Sequence, residues 1–207
     1  MAFPSTPIID SFQRSNETPV SDGGRWTFRS SQGLNLSSKL LVCALAVASH
    51  SVRTTPSEMT NMESYVTINS MTNVSDLFIT CRVQAGTTAS NISCYSGRYQ
   101  VSSTSIFVQR IDNGSLAPNS DLQVITALGA GDKLGVKCDG QVIRVWVYQA
   151  GVWTPGPSLT DGLYTSGFIG VSTSQSTTGG RFLDFGGGIP ITEADTPKPV
   201  AGRGATW

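Results

Sequence analysis

The chain has 207 residues, and its 14 Lys and Arg balance 14 Asp and Glu for a formal net charge of zero. That length can bury a sizeable core and makes, most simply, one domain with appendages. A charged fraction of 14% without net sign excludes the strong basic field that nucleic acid or an acidic substrate calls for, and 22 glycines favour short strands and turns over long helices.

In chain order, residues 1–7 contain two prolines and read as an extended segment. Residues 8–12 (IIDSF) and 26–28 (WTF) are short strand candidates on either side of a turn-rich stretch. Residues 34–39 alternate weakly. Residues 40–48 (LLVCALAVA) are apolar, too short to span a bilayer, and read as a buried strand, with residues 50–61 as a polar loop that carries the single histidine, His50. Further strands are predicted at 65–70, 77–83, 93–101, 106–111 and 122–126, with a hairpin turn at Asp112-Asn113-Gly114-Ser115. Residues 151–153, 168–173 and 181–185 complete about a dozen short strands separated by turns, the pattern of an all-β antiparallel sandwich or jelly roll.

The stretch 133–148 (KLGVKCDGQVIRVWVY) is the clearest element. Two alternating runs flank Asp139-Gly140, and a two-residue turn there sets Cys138 opposite Gln141 and Lys133 opposite Trp146. Leu134, Val136, Cys138, Ile143, Val145 and Val147 then face a core. Lys133, Lys137, Arg144, Trp146 and Tyr148 share a basic, aromatic outer face, with Lys137 not buried. Lys133, Arg144, Trp146, Tyr148 and, just beyond, Trp153 are candidates for contact with a sugar ring or a protein partner, or a stripe that a loop simply covers.

Four cysteines, Cys43, Cys81, Cys94 and Cys138, form no C-x-x-C pair, which disfavours zinc. Residues 1–7 lack the basic and apolar regions of a secretory signal. Synthesis in a cytoplasm is therefore expected, with no disulfides by default and the N-x-S/T sequons as by-products of composition. No G-x-S-x-G elbow accompanies His50, and the four glutamates, Glu17, Glu58, Glu63 and Glu193, form no paired run, so no catalytic site is expected. After Gly186-Gly187-Gly188, a hinge, residues 189–207 have three prolines and no period. Such an arm is disordered alone and ordered on docking, with Ile189, Ile191, Pro197, Pro199, Arg203 and Trp207 as anchors. A neighbouring chain is the favoured dock, and the arm's own sandwich the alternative.

Asp10-x-Phe12-x-Arg14-x-Asn16 followed by Trp26 resembles the opening of concanavalin A-like, laminin G-related jelly-roll modules, which occur in many bacteriophage virion proteins. Arg110 to Gly114, Ala130 to Leu134, the hairpin through Tyr148, Tyr164-x-x-Gly167-x-x-Gly170-Val171 and Phe182-x-Asp184-Phe185 come in that family's order. The likeness covers residues 8–188, and the arm at 189–207 has no counterpart in the module. The resemblance implies a jelly-roll β-sandwich whose first and last strands pair. It implies a non-enzymatic virion protein, a minor tail or capsid decoration subunit, held by its arms among other virion proteins and copies of itself. A carbohydrate-binding module that attaches to a host surface glycan is the alternative. It also implies a possible structural Ca2+ between Asp10 and Asp184 as the one cofactor, against the plainer reading of two strand-end aspartates bonded to backbone amides. No membrane or nucleic-acid partner is expected.

Overall fold

The computed structural model describes residues 3–28, 34–42, 49–55, 57–72, 74–86, 91–117, 121–174 and 180–191. Sixteen strands run through the described residues. They are β1 (Ile8–Asp10), β2 (Trp26–Phe28), β3 (Asn35–Ser37), β4 (Leu40–Val42), β5 (Ser49–Arg53), β6 (Met62–Met71), β7 (Asp76–Val83) and β8 (Cys94–Gln100). There follow β9 (Ser105–Asp112), β10 (Ser115–Leu116), β11 (Asp121–Val124), β12 (Lys133–Asp139), β13 (Val142–Gln149), β14 (Val152–Thr160), β15 (Phe168–Ser174) and β16 (Gly180–Gly188). No helix occurs among the described residues, so none is long and apolar enough to cross a membrane.

The strands form two antiparallel sheets. The first has the order β14-β13-β12-β6-β16-β4-β3, with β1 on β16, and the second has the order β10-β9-β8-β7-β15-β5-β2, with β11 on β9. The first and last strands pair as expected, Asp10 lying opposite Phe185. Alternation explains the sandwich. Leu77, Ile79 and Cys81 of β7 point inward to meet Leu134, Val136 and Cys138 of β12, and all six belong to one core cluster with no solvent exposure. The next residues along β7, Asp76, Phe78 and Thr80, therefore face outward.

The hairpin at 133–148 has the predicted faces but a different register. Asp139 pairs with Val142 and Lys133 with Tyr148, so the turn centres on Gly140-Gln141. Gly140 takes φ +56°, the requirement of a turn with glycine at its first central position. Moving the pairing by two residues preserves which side chains share a face, so Val136 and Ile143 are both buried, yet Trp146 lands opposite Gly135 instead of Lys133. Lys137, expected outside, is buried, because it pairs in register with Glu63 at a place that the N-terminal segment covers.

Two further expectations are corrected, and one lies partly outside the described residues. Residues 49–53 form β5 instead of a polar loop, so His50 lies in a strand, opposite Ser172. Residues 43–48 of the predicted apolar strand lie outside the described residues, while residues 40–42 form β4. Cys81 and Cys138, on the inward faces of opposed sheets, form a disulfide across the core, which the cytoplasmic argument did not anticipate. Cys94, the other cysteine described, is free and buried outside that core beside Val83 and Ile111.

Candidate functional site

The residues singled out on the outer face of the first sheet do come together. Nζ of Lys133 lies 5.8 Å from the rings of both Tyr65 and Tyr148. Trp153 stands 5.4 Å from Tyr148, and Trp146 is two residues before Tyr148 on β13, on the same face. The face is occupied by the chain's own N-terminal segment. Phe3 stacks on Trp146 at 5.1 Å and 7° and sets its ring edge-on to Trp153 at 4.8 Å. A Cβ at Gly135 would come within 2.5 Å of the Phe3 ring, so glycine at this position of β12 makes the room. Glu63 of β6, fully buried, then accepts the backbone N–H groups of Ser5 and Thr6 at 2.5 and 2.6 Å. The Tyr65 hydroxyl donates to the Thr6 carbonyl at 3.1 Å. Burial, with the Asp184 and Glu63 carboxylates adding to it, pushes the Tyr65 phenol up to about 12.

Trp146 thus stacks on the protein itself, and residues 3–7 are a strap on their own sandwich. Arg144 stays at the margin, 3.4 Å from the Ser158 hydroxyl. Of the expected arm, Ile189 and Ile191 are exposed, and the Ile191 N–H donates to the Ser5 hydroxyl at 3.0 Å. Pro197, Pro199, Arg203 and Trp207 lie outside the described residues.

Asp10 and Asp184 belong to separate networks. Oδ1 of buried Asp10 accepts from the Phe12 N–H at 2.8 Å and from Arg14 at 2.6 Å. Its Oδ2 accepts from Trp26 Nε1 at 2.8 Å and from Arg53 at 3.5 Å. Arg53 also pairs with Asp22 at 2.8 Å, and Arg14 with Glu17 at 2.7 Å. Burial alone would raise the Glu17 carboxyl. Hydrogen bonds from Arg14 and from the Ser21 and Asp22 amides outweigh it and hold the group at about 2. Asp184 accepts from the Thr67 hydroxyl at 2.6 Å. A calcium ion at Asp10 would have to displace two guanidinium groups, and no group of three or more potential metal ligands exists among the described residues. The D-x-F-x-R…W pattern is a structural clasp.

A groove lies on the outer face of the second sheet, with a volume of about 290 Å3, near the lower end, roughly 300 Å3, of small-molecule sites. Its floor follows from register. Ser172 of β15, Phe78 of β7 and Arg98 of β8 line it in one cross-strand row, which Phe107 of β9 continues beyond the groove. Ser174 and Asp76 stand on one side of it. Thr80, Ser96 and Gln109 stand on the other. The Arg98 guanidinium lies 5.6 Å from the Phe78 ring and 5.2 Å from the Phe107 ring. Asp76 Oδ1 holds it at 2.7 Å, and Asp76 Oδ2 accepts from the Ser174 hydroxyl at 2.6 Å. Thr80 Oγ1, Ser96 Oγ and Gln109 Nε2 are buried without a protein partner. Ile92, Ile111 and Leu116 close one end.

Half-buried phenyl rings beside hydrogen-bonding groups suit a ligand that is apolar on one face and hydroxylated at its edge. Asp76 is the one carboxylate among the groove-lining residues, whereas glycoside hydrolysis uses two. The constituent strands were legible, but the outward residues of β7, β8 and β9 were not singled out. The signal was there: in DLFITCRV every second residue from Asp76 is polar or aromatic, between residues that are uniformly core-like.

No family model and no curated protein sequence matches the chain. Solved structures do. Carbohydrate-binding module CBM66 from Bacillus subtilis superposes with a TM-score of 0.58 at 10% identity, covering 80% of this chain and 96% of that one. The VIP36 exoplasmic/lumenal domain in its Ca2+/Man3GlcNAc-bound form gives 0.63 at 14% identity, covering 87% and 89%. A prokaryotic β-1,3-1,4-glucanase (lichenase) derived from a mouse hindgut metagenome gives 0.59 at 10% identity, covering 86% and 99%. At such identities the likeness shows the fold. The chain is an all-β jelly-roll sandwich of the concanavalin A and legume-lectin type.

Proposed function

We propose that this chain is a non-catalytic glycan-binding module whose site is the groove lined by Phe78, Arg98 and Asp76, with Phe107 beside it. The observation that carries the reading is the row in which two half-buried phenyl rings flank a fixed guanidinium, beside the Thr80 hydroxyl of the groove, which is buried with no partner among the described residues. Sugar rings offer apolar C–H faces to aromatic rings and a rim of hydroxyls to polar groups, and this surface supplies both. Support comes from the fold neighbours, which include a carbohydrate-binding module and a glycan-bound lumenal domain. The lichenase neighbour is an enzyme, but a groove with one carboxylate lacks the acid–base pair that such chemistry uses.

The virion-subunit reading finds no counterpart among these neighbours, and most of the arm it relies on lies outside the described residues. Virion localisation enters as part of the same proposal: on a particle, this module would contact a host surface glycan.

The test is binding of purified protein to an oligosaccharide array. Wild type should bind at least one glycan, and Phe78→Ala should weaken that binding by about tenfold, the equivalent of ~1.4 kcal/mol, with an unchanged Tm. Arg144→Ala, on the opposite sheet, should leave binding intact. Absence of glycan binding by wild type, or an equal loss in both variants, would overturn the assignment.

A further inference from the structure

Building on the glycan-binding reading, we infer that the groove selects uncharged sugar units and discriminates against acidic ones such as uronates. Asp76 and Arg98 are the two charged side chains that line the groove, and they are paired at 2.7 Å. The pair leaves no net positive charge to attract an anion.

Geometry keeps the compensation in place. Both Nε and Nη2 of Arg98 reach Asp76 Oδ1, and the guanidinium lies between the rings of Phe78 and Phe107. To follow a ligand carboxylate it would have to leave both the aspartate and the rings. Such a carboxylate would also stand beside Asp76, and like charges in close contact are strongly disfavoured.

The remaining valences match hydroxyls. Nη1 of Arg98 has no acceptor among the described residues, which leaves it to donate to a ligand oxygen. Asp76 Oδ2 takes a single hydrogen bond, from Ser174, and retains capacity to accept another. Thr80, 1% exposed and lining the groove, has an Oγ1 with no partner among the described residues and can donate or accept. A ligand that must accept from Arg98 and donate to Asp76 within one small area needs groups that do both. A hydroxyl does so at a single atom, while an ionised carboxylate only accepts.

The experiment compares neutral probes (mannan, glucan and galactan oligosaccharides) with acidic ones (polygalacturonate and hyaluronate oligosaccharides) by array and calorimetry. Wild type should favour its best neutral probe over every acidic one by at least about tenfold. Its binding should change little as NaCl rises, because no ion pair forms with the ligand. Asp76→Asn leaves Arg98 uncompensated and should compress that preference by about tenfold or reverse it. Binding of acidic probes by wild type as tight as that of neutral ones, or strong salt dependence, overturns the inference and leaves glycan binding standing. This comparison needs no variant, so it holds even if Asp76→Asn fails to fold. Binding of neither class overturns the glycan-binding reading and the inference with it.

Discussion

Asp10 accepts four hydrogen bonds that tie together β1, the turn after it, Trp26 and Arg53 of β5. Arg53 is itself buried, and its guanidinium lies 5.5 Å from the Trp26 ring. The residue pattern was legible in the sequence, but its role was not, because Arg53 stands 43 positions away from Asp10. Glu17 extends the clasp and carries a pH signature. Its ordinary carboxyl value is 4.5, and in the folded chain it is about 2. A depressed value stabilises the fold above the unfolded pKa, and the stabilisation is lost as protons bind. Tm should therefore fall as pH drops from about 4.5 towards about 2. Glu17→Gln, which cannot titrate, should show a visibly shallower fall in thermal scans across that window. An identical pH profile in the variant would exclude Glu17 as the cause.

At the scale of elements, the strap and the hairpin show where local reasoning ends. Phe3 is 5% exposed although it lies near the terminus, because it fills the space over Gly135 between Trp146 and Trp153. Nothing periodic in residues 1–7 announces this, since every partner is at least sixty residues away. Phe3→Ala should cost about 3 kcal/mol, the lower range for a buried phenylalanine. It should also shift tryptophan emission to the red as Trp146 and Trp153 become wet, and an unshifted spectrum would show that Phe3 does not cover them. β14 escaped prediction beyond its first residues for a related reason. Its sequence, VWTPGPSLT, holds two prolines and a glycine, and it survives as a strand only because it lies at the edge of its sheet.

Across the whole molecule, the two sheets are joined through their core by Cys81–Cys138, which closes a separation of 57 residues. In the chain-entropy account, a loop of that size stabilises the fold by about 4 kcal/mol. Reduction, or the double variant Cys81→Ser and Cys138→Ser, should lower the denaturant midpoint accordingly. A midpoint indifferent to reductant would show that this bridge contributes nothing in solution.

Alternation and turn residues, read from the sequence by itself, determined most of the strands and the two sheet faces of the hairpin, and the family resemblance supplied the pairing of first and last strands and the jelly roll. The strands and the hairpin faces follow from interactions between neighbours along the chain or across one turn. Tertiary structure alone decided that Trp146 lies beneath Phe3, that Asp10 holds arginines, that Cys81 meets Cys138, and that Phe78, Arg98 and Phe107 make one row. Each depends on register between strands distant in sequence. A shift of two residues, as at Gly140, leaves the faces unchanged and alters every contact.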